Sequence, residues 1–347
     1  MQHTSRLEDP GVAQSETRAQ SQGSLILVTG ATGFIGAHIV NEALKAGYKV
    51  RGTSRSEERA EYTKKVFEYH PNYSTAVVSG FEQEGIFDDV VKGCDAIIHV
   101  ATATSFDPDP HNVVGPTVAG VESILRSAAK TPSVKRFVLT SSSVAALLPQ
   151  PGNELTVGVD DWNDEVYEQA WAPPPYTPDR AFATYAASKI AGEKAFWKFV
   201  KEEKPNFVAN TVLPNFNIGT ILTAGGPTGS AVPSVLGGNI PPFPSQYHID
   251  VIDNARIHLI AAALDPCIKN ERIFAFNKTF TWTDIIEILK ELRPDAKTIA
   301  SPPENDERHL SKVPNELGAE LLKKWYDQKG EYTSLRESIE ASIEGLD

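Results

Sequence analysis

Leu25-Ile26-Leu27-Val28-Thr29-Gly30-Ala31-Thr32-Gly33-Phe34-Ile35-Gly36 is the stretch that decides the fold. Its first four residues form a short unbroken apolar run, the pattern of a parallel strand buried on both faces. Glycines follow at 30, 33 and 36, and then a helical stretch over about residues 37–46 that Gly47 closes. A strand that turns sharply into a helix needs small residues at the bend. The helix start then offers unpaired N–H groups and a partial positive charge, which suit a pyrophosphate. Strand, glycine spacing and helix agree, so Gly30, Thr32, Gly33, Phe34, Ile35 and Gly36 read as a dinucleotide-binding loop.

The same alternation continues along the chain. Strands are predicted over 49–54, 75–79, 95–100, 136–140 and 207–213, with helices over 57–69, 113–129 and 182–203. Strand and helix in alternation specify an α/β fold, a Rossmann-type doubly wound parallel sheet over residues 24–215. Beyond Pro214 the alternation fails. Residues 225–244 are dense in Gly and Pro and read as loop. A helix over 253–264 capped by Asp253, a strand over 272–276, a helix over 283–292 and a polar helical end follow. Residues 216–347 are therefore expected to form, in the main, a smaller C-terminal substrate-binding lobe. Residues 1–23, rich in Gln, Ser, Thr and Glu, lack an apolar core and read as a disordered leader rather than a signal peptide.

Bulk composition narrows the partners. With 45 acidic against 33 basic residues the formal net charge is −12, and no long basic run is present. That balance argues against nucleic acid or an anionic membrane as the main partner. No apolar run reaches the roughly 18 residues of a membrane span. Two cysteines, Cys94 and Cys267, both in apolar surroundings, make no disulfide framework, so a reducing, cytoplasmic setting is expected. The eight histidines form no pair at metal-ligand spacing, and no metal requirement is expected. His99 reads as a satisfied buried residue, and His258 as one that packs or caps its helix.

Residues after the second strand select the dinucleotide. An NAD enzyme places a carboxylate there to bond the ribose 2′-hydroxyl. Here the strand runs out as Arg51-Gly52-Thr53-Ser54-Arg55-Ser56, with Arg55 at the exit and Glu57 and Glu58 only in the helix beyond. A guanidinium fork matches a 2′-phosphate in charge and geometry, and Arg59, one helical turn on, adds a second contact. The alternative for Arg55 is a solvated surface arginine. NADPH is the expected cofactor.

Tyr185-Ala186-Ala187-Ser188-Lys189 places Tyr and Lys on one face of the long helix, and Thr140-Ser141-Ser142-Ser143 ends the fifth strand at the edge where ligands bind in such sheets. A carbonyl that receives hydride gathers negative charge on oxygen and needs a proton donor. Phenol, at about pKa 10, is a poor donor alone, and a nearby ammonium lowers that value. A serine hydroxyl can hold the oxygen while its charge grows. Ser142, Tyr185 and Lys189 form the expected catalytic set.

From about Gly23 onward the chain resembles the extended short-chain dehydrogenase/reductase superfamily. More narrowly, it resembles the fungal and yeast carbonyl reductases that reduce methylglyoxal and aldehydes, and the plant dihydroflavonol and cinnamoyl-CoA reductases. The glycine loop, Val50 to Arg55, His99-Val100-Ala101, Ser133 to Ser142, Tyr185 to Lys189 and Leu213-Pro214-Asn215-Phe216-Asn217-Ile218-Gly219 carry the resemblance. It implies Tyr185 as general acid, Lys189 also gripping the nicotinamide ribose, and Ser142 rather than Ser141 or Ser143 as the catalytic serine. It also implies Ala101, Pro214 and Phe216 against the cofactor. Two departures stand out. Gly80-Phe81 occupies the place where relatives often carry an acid toward adenine, and Ala145-Ala146-Leu147-Leu148 lacks the Asn of the flavonoid reductases.

The Asn-Trp-Tyr-Cys-Tyr-Gly-Lys type signature of the cinnamoyl-CoA enzymes is absent as well. These departures favour the fungal carbonyl reductase branch and an apolar pocket, with Phe106, Leu147, Tyr247 and Phe216 as its expected wall. The expected partner is a small-molecule carbonyl substrate, and the chain is expected to be a monomer or homodimer. A ketoreductase of fungal secondary metabolism and a broad detoxifying reductase both accommodate this reading. The competing readings are an NAD-retaining sugar-nucleotide epimerase or dehydratase, and a non-catalytic NADP-binding sensor.

Overall fold

The computed structural model describes residues 17–102, 106–328 and 330–346. Seven strands form one sheet: β1 (Leu25–Thr29), β2 (Lys49–Ser54), β3 (Tyr73–Val77), β4 (Ala96–His99), β5 (Arg136–Thr140), β6 (Val208–Pro214) and, later in the chain, the strand Arg272–Ala275. They lie in the order β3-β2-β1-β4-β5-β6 with Arg272–Ala275 outermost, and every pairing is parallel. Side chains alternate across the sheet. Ile26 and Val28 join one buried cluster, whereas Leu27 between them joins the other.

Four helices follow the first strands in turn: α1 (Phe34–Lys45), α2 (Glu57–Val66), α3 (Val114–Ala129) and, after the short α4 (Asp164–Ala170), α5 (Ala181–Glu203). Against Leu27, Ile97 and Phe137 pack Val121, Ile124 and Leu125 of α3 with Phe196 and Phe199 of α5. α1 lies on the opposite face with Ile39, Val40 and Ala43 fully buried.

Past β6 the chain builds a second, three-stranded sheet from β7 (Phe216–Ile218), β8 (Gln246–Asp250) and the two-residue strand Thr279–Phe280. The short helices α6 (Gly226–Gly229) and α7 (Ala231–Leu236) lie between β7 and β8, where the sequence reads as loop. Burial decides the matter: Val232 and Val235 are fully enclosed in the lobe core. α8 (Val251–Leu259) begins two residues earlier than the sequence suggests, because Asp250, not Asp253, is its cap, accepting the Ile252 N–H at 2.8 Å. A π-turn over Ile260–Leu264 ends it.

Returning to the main sheet, Arg272–Ala275 is β9 and pairs with β6, while Thr279–Phe280 is β10. α9 (Trp282–Leu292) buries Ile285, Ile286 and Leu289 in the lobe, each worth about 1.5–3 kcal/mol of transfer free energy. α10 (Glu316–Tyr326) sets Leu321, Leu322 and Trp325 into the cluster shared with α1 and α8, and α11 (Leu335–Ser342) returns to the lobe. The division at residue 215 is therefore corrected: α8, β9 and α10 belong to the dinucleotide-binding half, and the lobe is interleaved with them.

Smaller corrections follow from local geometry. α1 starts at Phe34, directly on the glycine loop, and α2 stops at Val66 because Glu68 and Tyr69 turn left-handed at φ +52. β3 spans Tyr73–Val77, two residues upstream of its expected place. Of the expected leader, residues 1–16 lie outside the described residues. Residues 17–23 are docked: the Ala19 and Gln20 N–H groups donate to the Leu264 and Ala263 carbonyls at 3.0 and 2.8 Å. Cys94 is buried, but Cys267 is exposed in the turn before β9. Among the described residues no helix is long and apolar enough to cross a membrane.

Candidate active site

The carboxyl ends of β1, β2, β4, β5 and β6 lie along one edge of the parallel sheet, and the candidate residues sit at these ends. At β1, Gly30 takes φ +68, and a Cβ on it would stand 3.1 Å from the Ala101 backbone nitrogen. A Cβ on Gly36 would come within 2.2 Å of the Gly30 carbonyl oxygen, so α1 can seat against the loop only with glycine there. Gly33 caps α1 with no side-chain bond and no acid in the first turn. The N–H groups of Phe34, Ile35 and Gly36 thus lack helical acceptors and face the loop. Phe34 is buried, its ring under Gly229 of α6 and edge-on to His38 at 5.8 Å. Thr32 and Ile35 are half-buried beside it.

Arg55 stands exposed at the end of β2, and Arg59 is exposed one turn into α2. Neither guanidinium has a hydrogen-bond or ion-pair partner among the described residues. Ala101 follows β4, its N–H accepted by Thr29 Oγ1 at 3.1 Å. Phe81 fills the notch at Gly120 of α3, where a Cβ would meet its ring at 2.2 Å, which gives this departure from the family pattern a packing role.

At β5 the catalytic candidates converge. Ser142 is buried with its hydroxyl beside that of Tyr185, and its Oγ accepts the Val144 N–H at 3.4 Å. Lys189 is buried one helical turn past Tyr185 and its Nζ donates to the Thr140 carbonyl at 3.4 Å. Burial pulls the Lys189 ammonium down to about 8, and the Glu193 carboxylate opposes that fall. For Tyr185 burial is the larger influence and raises the phenol above its ordinary 10, against the Ser142 hydrogen bond. That departs from the lowering by Lys189 expected on sequence grounds, since desolvation of the phenolate is the dominant influence.

The expected pocket wall divides in two. Leu147, Tyr247 and Tyr185 share one cluster, and the Phe106 ring lies 5.3 Å from the Tyr185 ring while remaining exposed. The Tyr247 hydroxyl is occupied, donating to the Ser311 carbonyl at 2.6 Å. Phe216 is different: its ring is buried in the lobe core against Phe243, Phe280 and Trp282, so it is not a wall residue. Its N–H is taken by Asn215 Oδ1 at 2.7 Å, which fixes the turn after Pro214 at the end of β6.

Sequence reasoning missed Glu193 and Arg272. The signal was present, because Glu193 follows Lys189 at the same four-residue step that separates Lys189 from Tyr185. Among the described residues no group of three or more His, Cys, Asp and Glu side chains could hold one metal ion.

The chain belongs to the NAD dependent epimerase/dehydratase family, whose model matches residues 26–217, and is of the extended short-chain dehydrogenase/reductase type. It is 38% identical over 322 residues to aldehyde reductase 2 of Sporidiobolus salmonicolor, covering 90% of this chain and 93% of that one. It is 37% identical over 343 residues to ketoreductase adrE of Penicillium rubens, covering 96% and 99%. The structure of yeast methylglyoxal/isovaleraldehyde reductase Gre2 complexed with NADPH matches with a TM-score of 0.76 at 28% identity, covering 92% and 97%.

Proposed function

We propose that this oxidoreductase uses NADPH to reduce a ketone or aldehyde to the alcohol, with Ser142, Tyr185 and Lys189 as its catalytic set. The observation that carries the reading is the placement of Ser142 at the end of β5 beside Tyr185, with Lys189 enclosed one turn along α5 and its Nζ donating to the Thr140 carbonyl at 3.4 Å. NADPH, when bound, supplies the hydride. The glycine loop fits its pyrophosphate, since Gly36 and Gly30 hold a backbone approach that a Cβ would block. Gly30, Thr32, Gly33, Phe34, Ile35 and Gly36 would hold that end. Arg55 and Arg59 would take the 2′-phosphate, and Ala101, Pro214, Lys189, Tyr185 and the backbone of Phe216 the nicotinamide side.

Each side chain then has a defined task. The Ser142 and Tyr185 hydroxyls would together hold the carbonyl oxygen. Burial keeps the Tyr185 proton in place until charge develops on that oxygen, and Tyr185 then donates it. The Lys189 ammonium stabilises the phenolate left behind. Phe106, Leu147 and Tyr247 give the site an apolar wall, which suits the carbon skeleton of a hydrophobic ketone or aldehyde. A ketone intermediate of secondary metabolism fits this lining.

The test is NADPH oxidation, followed by its near-ultraviolet absorbance, over a panel of aldehydes and ketones, with NADH and Tyr185→Phe in parallel. Turnover with NADPH that falls at least about 100-fold in Tyr185→Phe supports the assignment. Purified protein that retains NAD and turns over no carbonyl points instead to an epimerase or dehydratase. Tight NADPH binding without any turnover points to a sensor.

A further inference from the structure

Glu193 is almost fully buried, at 1% exposure, yet it carries a carboxylate that the reduction as described does not use. Its oxygens gather five donors. Oε2 accepts from Ser141 Oγ at 2.7 Å and Arg272 Nη2 at 3.4 Å. Oε1 accepts from Thr211 Oγ1 at 2.9 Å, Arg272 Nε at 2.9 Å and Trp197 Nε1 at 3.4 Å. Such a group is costly to bury unless it is paired, and Arg272 of β9 pairs it. The same guanidinium donates to the Val159 and Asp161 carbonyls at 2.8 and 2.6 Å and lies 4.2 Å from the Trp162 ring centroid. Asn163, next in that loop, donates its N–H to the Ala145 carbonyl at 3.0 Å. One carboxylate thus reaches the residue before Ser142 directly and, through Arg272, the loop against the segment after it.

We propose that Glu193 is a positioning residue of the reaction: its charge sustains the Lys189 ammonium, and its bond to Ser141 fixes the end of β5 on which Ser142 sits. This rests on the catalytic assignment given above. The surroundings of Lys189 leave Glu193 as the anion that can act. On α5 the other titratable neighbour is Tyr185. From β4, buried His99 faces Lys189 and, pulled down to about 3, is neutral across the working range. β5 and the residue after it present Leu139, Thr140 and Ser141, and α3 presents Thr117 and Val121. α4 turns Val166 and Ala170 inward, with Tyr167 partly buried beside Ala187 and its acids Asp164, Glu165 and Glu168 exposed. The other charge in contact with Glu193 is Arg272, a cation, so the two members of the pair act on Lys189 in opposite directions.

That opposition makes the test. The pH profile of kcat/KM with NADPH and a turned-over carbonyl should show a basic limb as Lys189 loses its proton. Glu193→Gln should move this limb to lower pH by about one unit, and Arg272→Gln should move it to higher pH. Ser141→Ala should lower kcat and leave the limb in place. NADPH binding, read by tryptophan fluorescence, reports that each variant is folded. Folded variants whose limbs stay at the wild-type position, or shift the same way, overturn the inference, as does a wild-type profile without a basic limb. Failure of both charge variants to fold assigns the pair to the core alone and overturns it equally. Tyr185→Phe run alongside separates the outcomes: retained turnover there removes the catalytic assignment itself, whereas its loss with unmoved limbs removes only the role of Glu193.

Discussion

Thr29 Oγ1 lies 2.8 Å from His99 Nδ1 and joins the carboxyl ends of β1 and β4. The same oxygen accepts the N–H groups of Val100 and Ala101 at 3.0 and 3.1 Å. With both acceptor sites used, the hydroxyl proton goes to Nδ1, so the network assigns His99 the Nε2–H tautomer. That Nε2 has no hydrogen-bond partner among the described residues and sits in an aromatic cage, with the Phe87 ring edge-on at 6.1 Å. Replacing Thr29 by Val leaves two backbone donors and a ring nitrogen unpartnered. Urea unfolding of Thr29→Val should show a loss of about 2–4 kcal/mol, with weaker NADPH binding because Ala101 shifts against Gly30. Thr29→Ser should recover most of both, and a Val variant as stable as the parent would remove this network from the account.

Arg55, exposed and without a partner at the end of β2, has no structural duty to lose. Arg55→Ala should therefore leave thermal stability unchanged while weakening NADPH binding by about ten-fold or more, equal to about 1.4 kcal/mol, and leaving NADH binding unaltered. Titration of both cofactors into both proteins checks it. A preference for NADPH that survives the substitution would assign the 2′-phosphate to other residues.

The fit of Phe81 into α3 predicts a reciprocal pair of effects. Gly120→Ala puts a methyl group where the ring already stands, at 2.2 Å. Calorimetry should show a loss of about 1–3 kcal/mol. In a Phe81→Leu background the same change should cost clearly less. Equal costs in both backgrounds would place the strain elsewhere.

Two buried carboxyls at the start of α8 predict the pH dependence of stability. Asp250 is pushed up to about 7 by burial and by the neighbouring Asp253 carboxylate, against hydrogen bonds from Ser338 Oγ and the Ile252 N–H. An unfolded aspartate releases its proton near the ordinary 3.8, so between that value and about 7 the folded chain holds the extra proton. Stability contributed by this group is complete below the lower value and is lost as pH rises through the upper one, by at most about 1.4 kcal/mol per pH unit. Asp250→Asn should flatten the decline of unfolding free energy between pH 5 and pH 7. A wild-type curve that rises across that window would contradict the assignment.

Much of this site was legible because its signals are local. The run from Leu25 to Gly36, the exit at Arg55 and the Tyr185-to-Lys189 step each lie within one turn or one helix, where steric and hydrogen-bond rules act over a few residues. Ser142, singled out from its neighbours by the family resemblance, lies just past the end of β5, on the same edge of the sheet. What escaped depends on contacts between distant segments. The Phe216 ring was assigned to the cleft, but Trp282 and Phe280, more than sixty positions away, draw it into the lobe. Asp253 looked like a cap, yet it accepts from the Thr333 N–H at 2.6 Å and so ties α8 to the start of α11. Arg272 gave no local hint of its bond to Glu193. Long polar side chains buried by tertiary packing leave no periodic trace in the sequence.

β9 carries a consequence for how the chain is made. The sheet that grips the dinucleotide receives its last strand from residues 272–275, and the helix that packs on that strand and on α8 ends only at Tyr326. During synthesis the ribosome delivers β1 through β6 long before either arrives, so the nascent chain carries β6 with an open row of N–H and C=O groups and an uncovered apolar face. A fragment ending at residue 215 has the same exposed edge permanently. Isolating the nucleotide-binding half by truncation is thus expected to give aggregates rather than a small domain, while a cut-down chain that keeps residues 17–326 retains every strand of the sheet.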